Sequence, residues 1–373
     1  MQKKLITLAI AAAMSAPAFA DTSVTVYGQG HVSLDHATTY DAAGASVSKL
    51  NMSSNSSRLG VKAESTLDNG MTGFFQVESS VSVANGDNAH MSFGHRASIV
   101  GLKGDFGSVA FGYQDSVFKD TFKAFDVMFN SVGDSRNILD KGHLDTRDQN
   151  GIHYYSPNMS GFQLGVGYST SFKNALIASQ NNNDGSLTDV TLKYSANGMF
   201  VMVGNEKQKI VDTGTPAVLN SDGTTTPAVA ATNLVKQEIT GTRVVAGYKT
   251  GPMDIRGIYE HVTNSGTCYS ASLDRNVMGA AFVLKVGGPG SVILQYMKAG
   301  KSAAAAGADG ATQATVGYAY SLAKNAKVYV MYDSVSNDTN ASYGIGNGHD
   351  LGYSNAIAGK SVSAISAGYV YKF

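Results

Sequence analysis

The sequence predicts an all-β chain, a sixteen-stranded antiparallel transmembrane β-barrel, and three observations lead to that class. Apolar residues recur with a period of two along most of the chain after residue 21, and helical periodicity is almost absent. The connections between candidate strands alternate between short turns and long polar loops. Beyond the first twenty residues there is no run of 18 apolar residues, so any membrane crossing must be made by strands closed into a barrel.

Residues 1–20 have the pattern of a cleaved secretory signal peptide. Two lysines, Lys3 and Lys4, precede an apolar stretch from residue 5 to residue 14, and Ala18-Phe19-Ala20 fits a small-residue cleavage site. We therefore expect an exported protein in which residues 21–373 form the barrel domain.

The composition excludes several classes of function. The 373 residues have a formal net charge of +0, which argues against nucleic-acid binding because phosphate neutralisation needs a basic face. The single cysteine, Cys268, rules out an intrachain disulfide and a thiolate metal cluster, and we assign it no role. Neither a His-Glu-x-x-His nor a Gly-x-Ser-x-Gly motif occurs, so we expect no enzyme, cofactor or metal site.

Sixteen segments carry the strand pattern. In one of them Val316, Tyr318 and Tyr320 alternate with small or polar residues, which is the pattern of a strand with one apolar and one polar face. The predicted strands span 22–35, 55–67, 71–83, 92–103, 106–115, 150–157, 161–171, 187–196, 199–209, 236–249, 253–263, 273–286, 291–298, 311–321, 326–335 and 361–373.

The lengths of the connections favour a membrane barrel over a soluble sandwich. Short turns such as 68–70 and 196–198 contain Asn-Gly, which accepts the positive φ of a tight hairpin turn. Long polar loops are predicted near 36–54, 84–91, 116–149, 172–186, 210–235, 264–272, 299–310 and 336–360. Outer-membrane barrels have their short turns at one end and their long loops at the other. A soluble exported β-protein has no reason to sort its connections in this way, so it is the disfavoured alternative.

Tyrosine and phenylalanine must form any aromatic belt at the membrane surface, because the chain contains no tryptophan. Ordinary cross-strand pairing is the alternative role for these rings. The candidates near strand ends are Tyr168, Tyr248, Tyr318, Tyr320, Tyr369, Tyr371 and Phe373.

Five stretches of sequence, taken in their order along the chain, give it a resemblance to a known family. It resembles the general porins of Gram-negative outer membranes, in particular the trimeric sixteen-stranded type of the betaproteobacterial and neisserial branch. The stretches that carry the resemblance are Val24-Thr25-Val26-Tyr27-Gly28, Ser57-Arg58-Leu59-Gly60-Val61-Lys62, residues 70–79, residues 96–107 and Tyr369-Val370-Tyr371-Lys372-Phe373.

The resemblance implies a homotrimer of water-filled pores in the outer membrane of a Gram-negative bacterium, in contact with lipid and lipopolysaccharide. It also implies that the long third loop, 116–149, folds into the lumen and narrows it. Small hydrophilic solutes and ions would then cross by passive diffusion. Gly112-Tyr113 stands where family members often have Gly-Arg, so the resemblance implies at most a slight anion preference.

Alternation and resemblance together nominate the residues of the narrow region. Leu59 and Val61 suit lipid, so the intervening side chains of the same strand should face the lumen. By resemblance, further bases line the wall opposite the third loop, which itself supplies acids. The predicted basic residues are Arg58, Lys62, Arg96 and Arg147, and the predicted acidic residues are Asp126 and Asp134.

Two other functions stay open from the sequence. One is a solute-selective channel of the same architecture for sugars, phosphate or organic acids, and the other is an outer-membrane adhesin. Phe118, Phe122, Phe125 and Phe129 have helical spacing, which predicts a short amphipathic helix in the third loop that anchors it against the barrel wall.

Overall fold

The structure is a computed structural model of the chain. It describes residues 22–41, 43–84, 94–128, 130–139, 144–172, 185–211, 218–219, 225–226, 236–265, 274–303, 308–346 and 356–373. The predicted signal peptide, 1–20, and Cys268 lie outside the described residues.

The described residues form one large antiparallel sheet, one separate pair of short strands and two short helices. The strands are β1 (Thr22–Tyr40), β2 (Ser46–Ser54), β3 (Arg58–Thr66), β4 (Thr72–Ser80), β5 (Ser98–Gly104), β6 (Gly107–Asp115), β7 (Arg147–Tyr155), β8 (Phe162–Phe172), β9 (Gly185–Ala196), β10 (Met199–Val211), β11 (Val218–Leu219), β12 (Thr225–Thr226), β13 (Lys236–Thr250), β14 (Met253–Ser265), β15 (Arg275–Val286), β16 (Gly290–Ala299), β17 (Ala311–Ala323), β18 (Ala326–Asn337) and β19 (Val362–Lys372). The short strands β11 and β12 pair with each other, and the other strands form the large sheet. The helices are α1 (Lys119–Phe125) and α2 (Arg136–Leu139).

The sheet closes into a barrel because its first strand pairs with its last. The register between β1 and β19 runs from Gln29↔Lys372 to Thr38↔Ser363. The other edge of β1 pairs first with β3 and then with β2, so these two segments occupy one position in the wall. Seventeen strand segments therefore make sixteen wall positions, which confirms the predicted sixteen-stranded antiparallel barrel.

The prediction of a loop over 36–54 is wrong for most of its length. β1 continues to Tyr40, and β2 returns from Ser46 as the second arm of a long hairpin. Asp41 tightens the turn, because its Oδ1 accepts hydrogen bonds from the backbone N–H groups of Ala43 and Ala45 at 3.0 and 2.9 Å. Leu50 and Met52 alternate with polar residues in this arm, which is a strand signal that the abundance of serine obscured.

Large apolar side chains cover the outside of the barrel, and polar or small side chains face inward. On β17, Val316, Tyr318 and Tyr320 are each 40% exposed or more, whereas the alternating Gln313 and Thr315 are buried. All seven side chains of the predicted aromatic set are exposed on this outer face. An exposed apolar belt of this kind is the pattern of a transmembrane β-barrel, whose outer face contacts lipid or a neighbouring protein.

The hydrophobic core lies inside the barrel, between the inner wall and residues 116–146, hereafter the inner segment. Phe118, Phe122 and Phe125 of this segment are buried, as expected for an anchoring helix, and α1 carries two of them, whereas Phe129, the fourth of the predicted series, lies outside the described residues. They pack with inward-facing wall residues such as Val245 and Ile258. Among the described residues, neither helix has the length and apolar character needed to cross a membrane.

A second connection also folds inward, onto the inner segment. Ala341, Tyr343 and Ile345, which follow β18, are buried in the same hydrophobic cluster. The backbone N–H of Gly346 donates to Asn137 Oδ1 of α2 at 3.1 Å. Both connections therefore occupy part of the lumen, with the inner segment packed on β10, β13 and β14.

Candidate functional site

A cavity of about 390 Å³ lies between the inner segment and the β3–β7 wall, hereafter the central cavity. Its lining is rich in charge, with six basic side chains against three acidic ones. The bases are Arg58, Arg96, Lys119, Lys123, Arg136 and Arg147, and the acids are Glu78, Asp115 and Asp126.

On the wall side of the central cavity, two arginines share one carboxylate. Arg96 donates from Nε to Glu78 Oε1 at 2.6 Å, and Arg58 Nε lies 3.7 Å from Glu78 Oε2. Tyr27 also donates its hydroxyl to Glu78, at 3.1 Å. The alternation of β3 and β4 turns Arg58 and Glu78 inward on neighbouring strands, because Leu59 and Phe75 are exposed outside. One carboxylate for two guanidinium groups leaves this wall positive.

Three bases share a second carboxylate where the inner segment leaves and rejoins the barrel. Asp115 ends β6 and Arg147 begins β7, and their register brings Arg147 Nε to 3.1 Å from Asp115 Oδ1. Lys119 and Lys123 of α1 reach the same carboxylate at 3.0 and 3.2 Å. The helical spacing of four residues places both lysines on the side of α1 that faces the passage.

Asp134 holds Arg136 in place instead of facing the central cavity. Asp134 is fully buried, and it accepts hydrogen bonds from Arg136 Nε and Nη2 at 2.9 and 2.7 Å. The guanidinium also donates to Asn130 Oδ1 at 2.9 Å and lies 4.8 Å above the ring of Phe122. Because these neighbours bind the planar guanidinium of Arg136 at several points, they hold it in one orientation at the wall of the central cavity.

Asp126 is the acid that the inner segment presents to the central cavity. Its Oδ1 accepts the backbone N–H of Met128 at 2.9 Å, which orients the carboxylate. Burial, and next the nearby Asp134 carboxylate, raise the pKa of Asp126 to about 6. This carboxylate therefore gains a proton on mild acidification, at a pH where an ordinary aspartate stays ionised.

The central cavity brings together four of the six residues nominated from the sequence, namely Arg58, Arg96, Arg147 and Asp126. Lys62 lies nearer the short-turn end of β3, where it pairs with Glu64, and it does not line the cavity. Asp134 lies behind Arg136, as described above.

The sequence reasoning missed five charged residues of the lining. Lys119 and Lys123 carried a usable signal, because their spacing of four matches that of Phe118 and Phe122 one position earlier. Glu78 carried the same alternation signal as Arg58, because β4 turns it inward. Asp115 follows a register shift between Gly112 and Gln114, and the position of Arg136 depends on how the inner segment docks, so these two had no local signal. Among the described residues, no group of three or more His, Cys, Asp or Glu side chains is arranged to hold a metal ion.

Known proteins are similar in sequence to this chain over most of its length. Residues 7–341 match the family described as Gram-negative porin. Outer membrane porin protein 32 of Delftia acidovorans is 26% identical over 341 residues, which cover 88% of each protein. An outer membrane porin protein of Bordetella pertussis is 32% identical over 188 residues, which cover 46% of this chain and 49% of that protein.

Solved structures share the fold. The anion-selective porin from Comamonas acidovorans superposes with a TM-score of 0.74 at 23% identity, covering 95% of this chain and 100% of that one. The trimer form of in-vitro folded OmpT of Vibrio cholerae has a TM-score of 0.68 at 18% identity, with 95% and 100% of the two chains covered. The family match, the closed barrel and the lipid-type outer face lead to one conclusion: the chain belongs to the Gram-negative porin family and is an outer-membrane channel for passive diffusion.

Proposed function

We propose that this channel is a general diffusion porin with a weak preference for anions, that it has no enzymatic activity, and that the central cavity is its narrowest part. The observation that carries the proposal is the excess of basic side chains around that cavity, six against three. Arg58, Arg96 and Arg147 supply the positive wall, and Asp126 opposes them from the inner segment. The lysines of α1 and Arg136 replace the base absent after Gly112.

The expected preference is small because the passage is wet. A unit charge about 7 Å from a permeating ion changes the energy of that ion by ~0.6 kcal/mol in bulk water, which is about a threefold change in its local concentration. The carboxylates of Glu78 and Asp115 offset part of the positive charge beside them. Physiological salt reduces the effect further, since the Debye length there is about 8 Å.

The resemblance to trimeric porins supports further proposals about assembly and targeting. OmpT of Vibrio cholerae was solved in a trimer form, and we propose a homotrimer in contact with outer-membrane lipid and lipopolysaccharide. The exposed apolar face of the strands supplies the surface for such contacts. We also propose that residues 1–20 are removed on export and that 21–373 form the barrel.

Zero-current potentials in planar bilayers test this proposal. Under a KCl gradient the purified protein should give a potential of the sign for chloride preference. Arg58→Glu and Arg96→Glu should each shift that potential toward cations, because each removes a positive charge from the central cavity and adds a negative one. Lys324→Glu is the matched control, since Lys324 is exposed in the connection between β17 and β18, away from this cavity.

Three results would contradict the proposal. A closed barrel without ion conductance would favour an adhesin. A potential of the sign for cation preference would refute the role of the basic wall. Equal shifts for Arg58→Glu and Lys324→Glu would show that charge acts only through the mouth of the channel.

A further inference from the structure

A second concave site lies on the inner wall where β9, β10, β13 and β14 meet their short turns. Two cavities of about 560 and 270 Å³ adjoin there, and both are lined by Lys123, Ala124 and Lys193. We treat them as one site, hereafter the turn-side niche. Lys123 also lines the central cavity, so this side chain is shared by the niche and the proposed permeation path.

The acids of the turn-side niche are already paired. Asp254 accepts hydrogen bonds from Arg256 Nε and Nη2 at 2.9 and 2.7 Å. Asp120 accepts from the Tyr155 hydroxyl at 2.5 Å and from Lys123 Nζ at 2.9 Å. Both carboxylates are therefore already hydrogen-bonded to a base of the niche.

Two lysines of the niche form no direct ion pair with a described residue, although Asp254 lies opposite Lys249 in the strand register and its charge reaches that lysine. Within the part of the chain that the structure describes, Lys193 and Lys249 form no ion pair within 4.0 Å. Both face inward, because Leu192 and Tyr248 beside them in sequence are exposed outside. The niche is therefore positively charged, and an anion can approach both lysines without displacing a protein carboxylate.

An apolar surface lies between these two lysines. Phe200 lines the niche, and its ring lies against Gly247, where a Cβ would collide with it. The strand register places Lys193 opposite Met202, and Phe200 lies two residues nearer the turn. On the next strand, Gly247 is the register partner of Phe200, and Lys249 lies two residues nearer the short turn than Gly247. Lys193 is therefore farther from the turns than the ring of Phe200, and Lys249 is nearer to them.

We propose that the turn-side niche binds small organic carboxylates that have an apolar body, with dicarboxylates bound most tightly. The body would lie on Phe200, and its carboxylates would pair with Lys193 and Lys249. An inorganic anion uses only the charges, so an organic anion of equal charge binds more strongly through apolar contact. The inference rests on the proposed anion-preferring channel and adds a class of solute to it.

Block of the chloride current tests the niche, with phthalate and sulfate as probes of equal charge that differ in apolar surface. Each is added to channels in KCl, and the fall in conductance gives an apparent Kd. Phthalate should bind at least about fivefold more tightly than sulfate. Lys193→Met should weaken phthalate block by about fivefold, the size of a solvated ion pair, and Phe200→Ala should weaken phthalate while leaving sulfate unchanged.

Lys324→Met is the matched control, because it removes a lysine outside the niche and should leave both apparent Kd values unchanged. Lys193→Met keeps most of the side-chain volume on an intact wall, so it tests the niche even where Phe200→Ala prevents folding. Equal affinity for phthalate and sulfate, or unchanged block in Lys193→Met, would overturn the inference. The zero-current potential in KCl is read from the same membranes and reports on the proposed function separately.

Discussion

Arg243 holds the inner segment against the barrel wall, and removing it should release that segment. Arg243 of β13 is fully buried. It donates two parallel hydrogen bonds to Asp145 at 2.7 and 2.9 Å and one to Thr121 Oγ1 at 3.1 Å, so both ends of the segment are tied to one guanidinium. It also donates from Nε to Glu260 on β14 at 2.8 Å, and it lies 4.5 Å from the ring centroid of Phe118.

Arg243→Met leaves Asp145 and Glu260 buried without their cation. Breaking a buried pair by removal of one partner costs about 3–5 kcal/mol, because the remaining charge is uncompensated. The barrel itself keeps its strand pairing, so the loss should appear as undocking of residues 116–146. A cost of that size raises the population of the open segment by roughly 150- to 5,000-fold.

Limited proteolysis of the folded protein in detergent measures that population. The inner segment of Arg243→Met should be cleaved at least about a hundredfold faster than that of the wild type while the barrel stays intact, and single channels should become larger or noisier. The triple variant with Arg243→Met, Asp145→Leu and Glu260→Met is the control. Since it buries no charge, it should recover most of the protection. Wild-type proteolysis in the single variant, or no recovery in the triple variant, would refute this account of anchoring.

Two further predictions concern acid and backbone conformation. Because the pKa of Asp126 is raised to about 6, the carboxylate is ionised at pH 7.5 and neutral at pH 5, so acidification should increase the anion preference of the wild type. Asp126→Asn should show, at both pH values, the preference that the wild type reaches at pH 5, and a pH response in the variant equal to that of the wild type would contradict the assignment. Gly112→Ala should lower the unfolding temperature of the barrel, because Gly112 has φ +130° and a Cβ there would collide with the carbonyl of Ser98. Gly257→Ala is its control, with nothing nearer than 4.0 Å, and equal unfolding temperatures would contradict the strain argument.

The barrel was predictable because its outer face imposes a strict pattern. Lipid requires apolar side chains at every second position, so runs such as Val316, Tyr318 and Tyr320 identify both the strand and the side that faces outward. The same alternation gave the inward direction of Arg58. The alternation was missed over 36–54, where the end of β1 and the whole of β2 form a long hairpin. Serines occur on both faces of β2, so the pattern of apolar residues is weak there.

The interior was less predictable because it depends on contacts between distant parts of the chain. An inward-facing base such as Arg243 has the same sequence pattern as Arg58, yet one is covered by the inner segment and the other lines the central cavity. Asp134 and Asp126 are likewise two acids of the same segment, yet Asp134 is buried and Asp126 lines the central cavity. Which inward positions are covered is decided by the docking of residues 116–146, and alternation carries no information about that docking.

Thiol modification of single cysteines tests most directly whether water passes between the inner segment and the β3–β7 wall. In a Cys268→Ser background, Gln76→Cys places a thiol in the central cavity, and Leu59→Cys places one on the lipid-facing side of the neighbouring strand. A bulky charged methanethiosulfonate reagent added from the aqueous phase should lower the conductance of Gln76→Cys channels and leave Leu59→Cys channels unchanged. Unchanged conductance at Gln76→Cys, or block at Leu59→Cys, would contradict a passage along this wall.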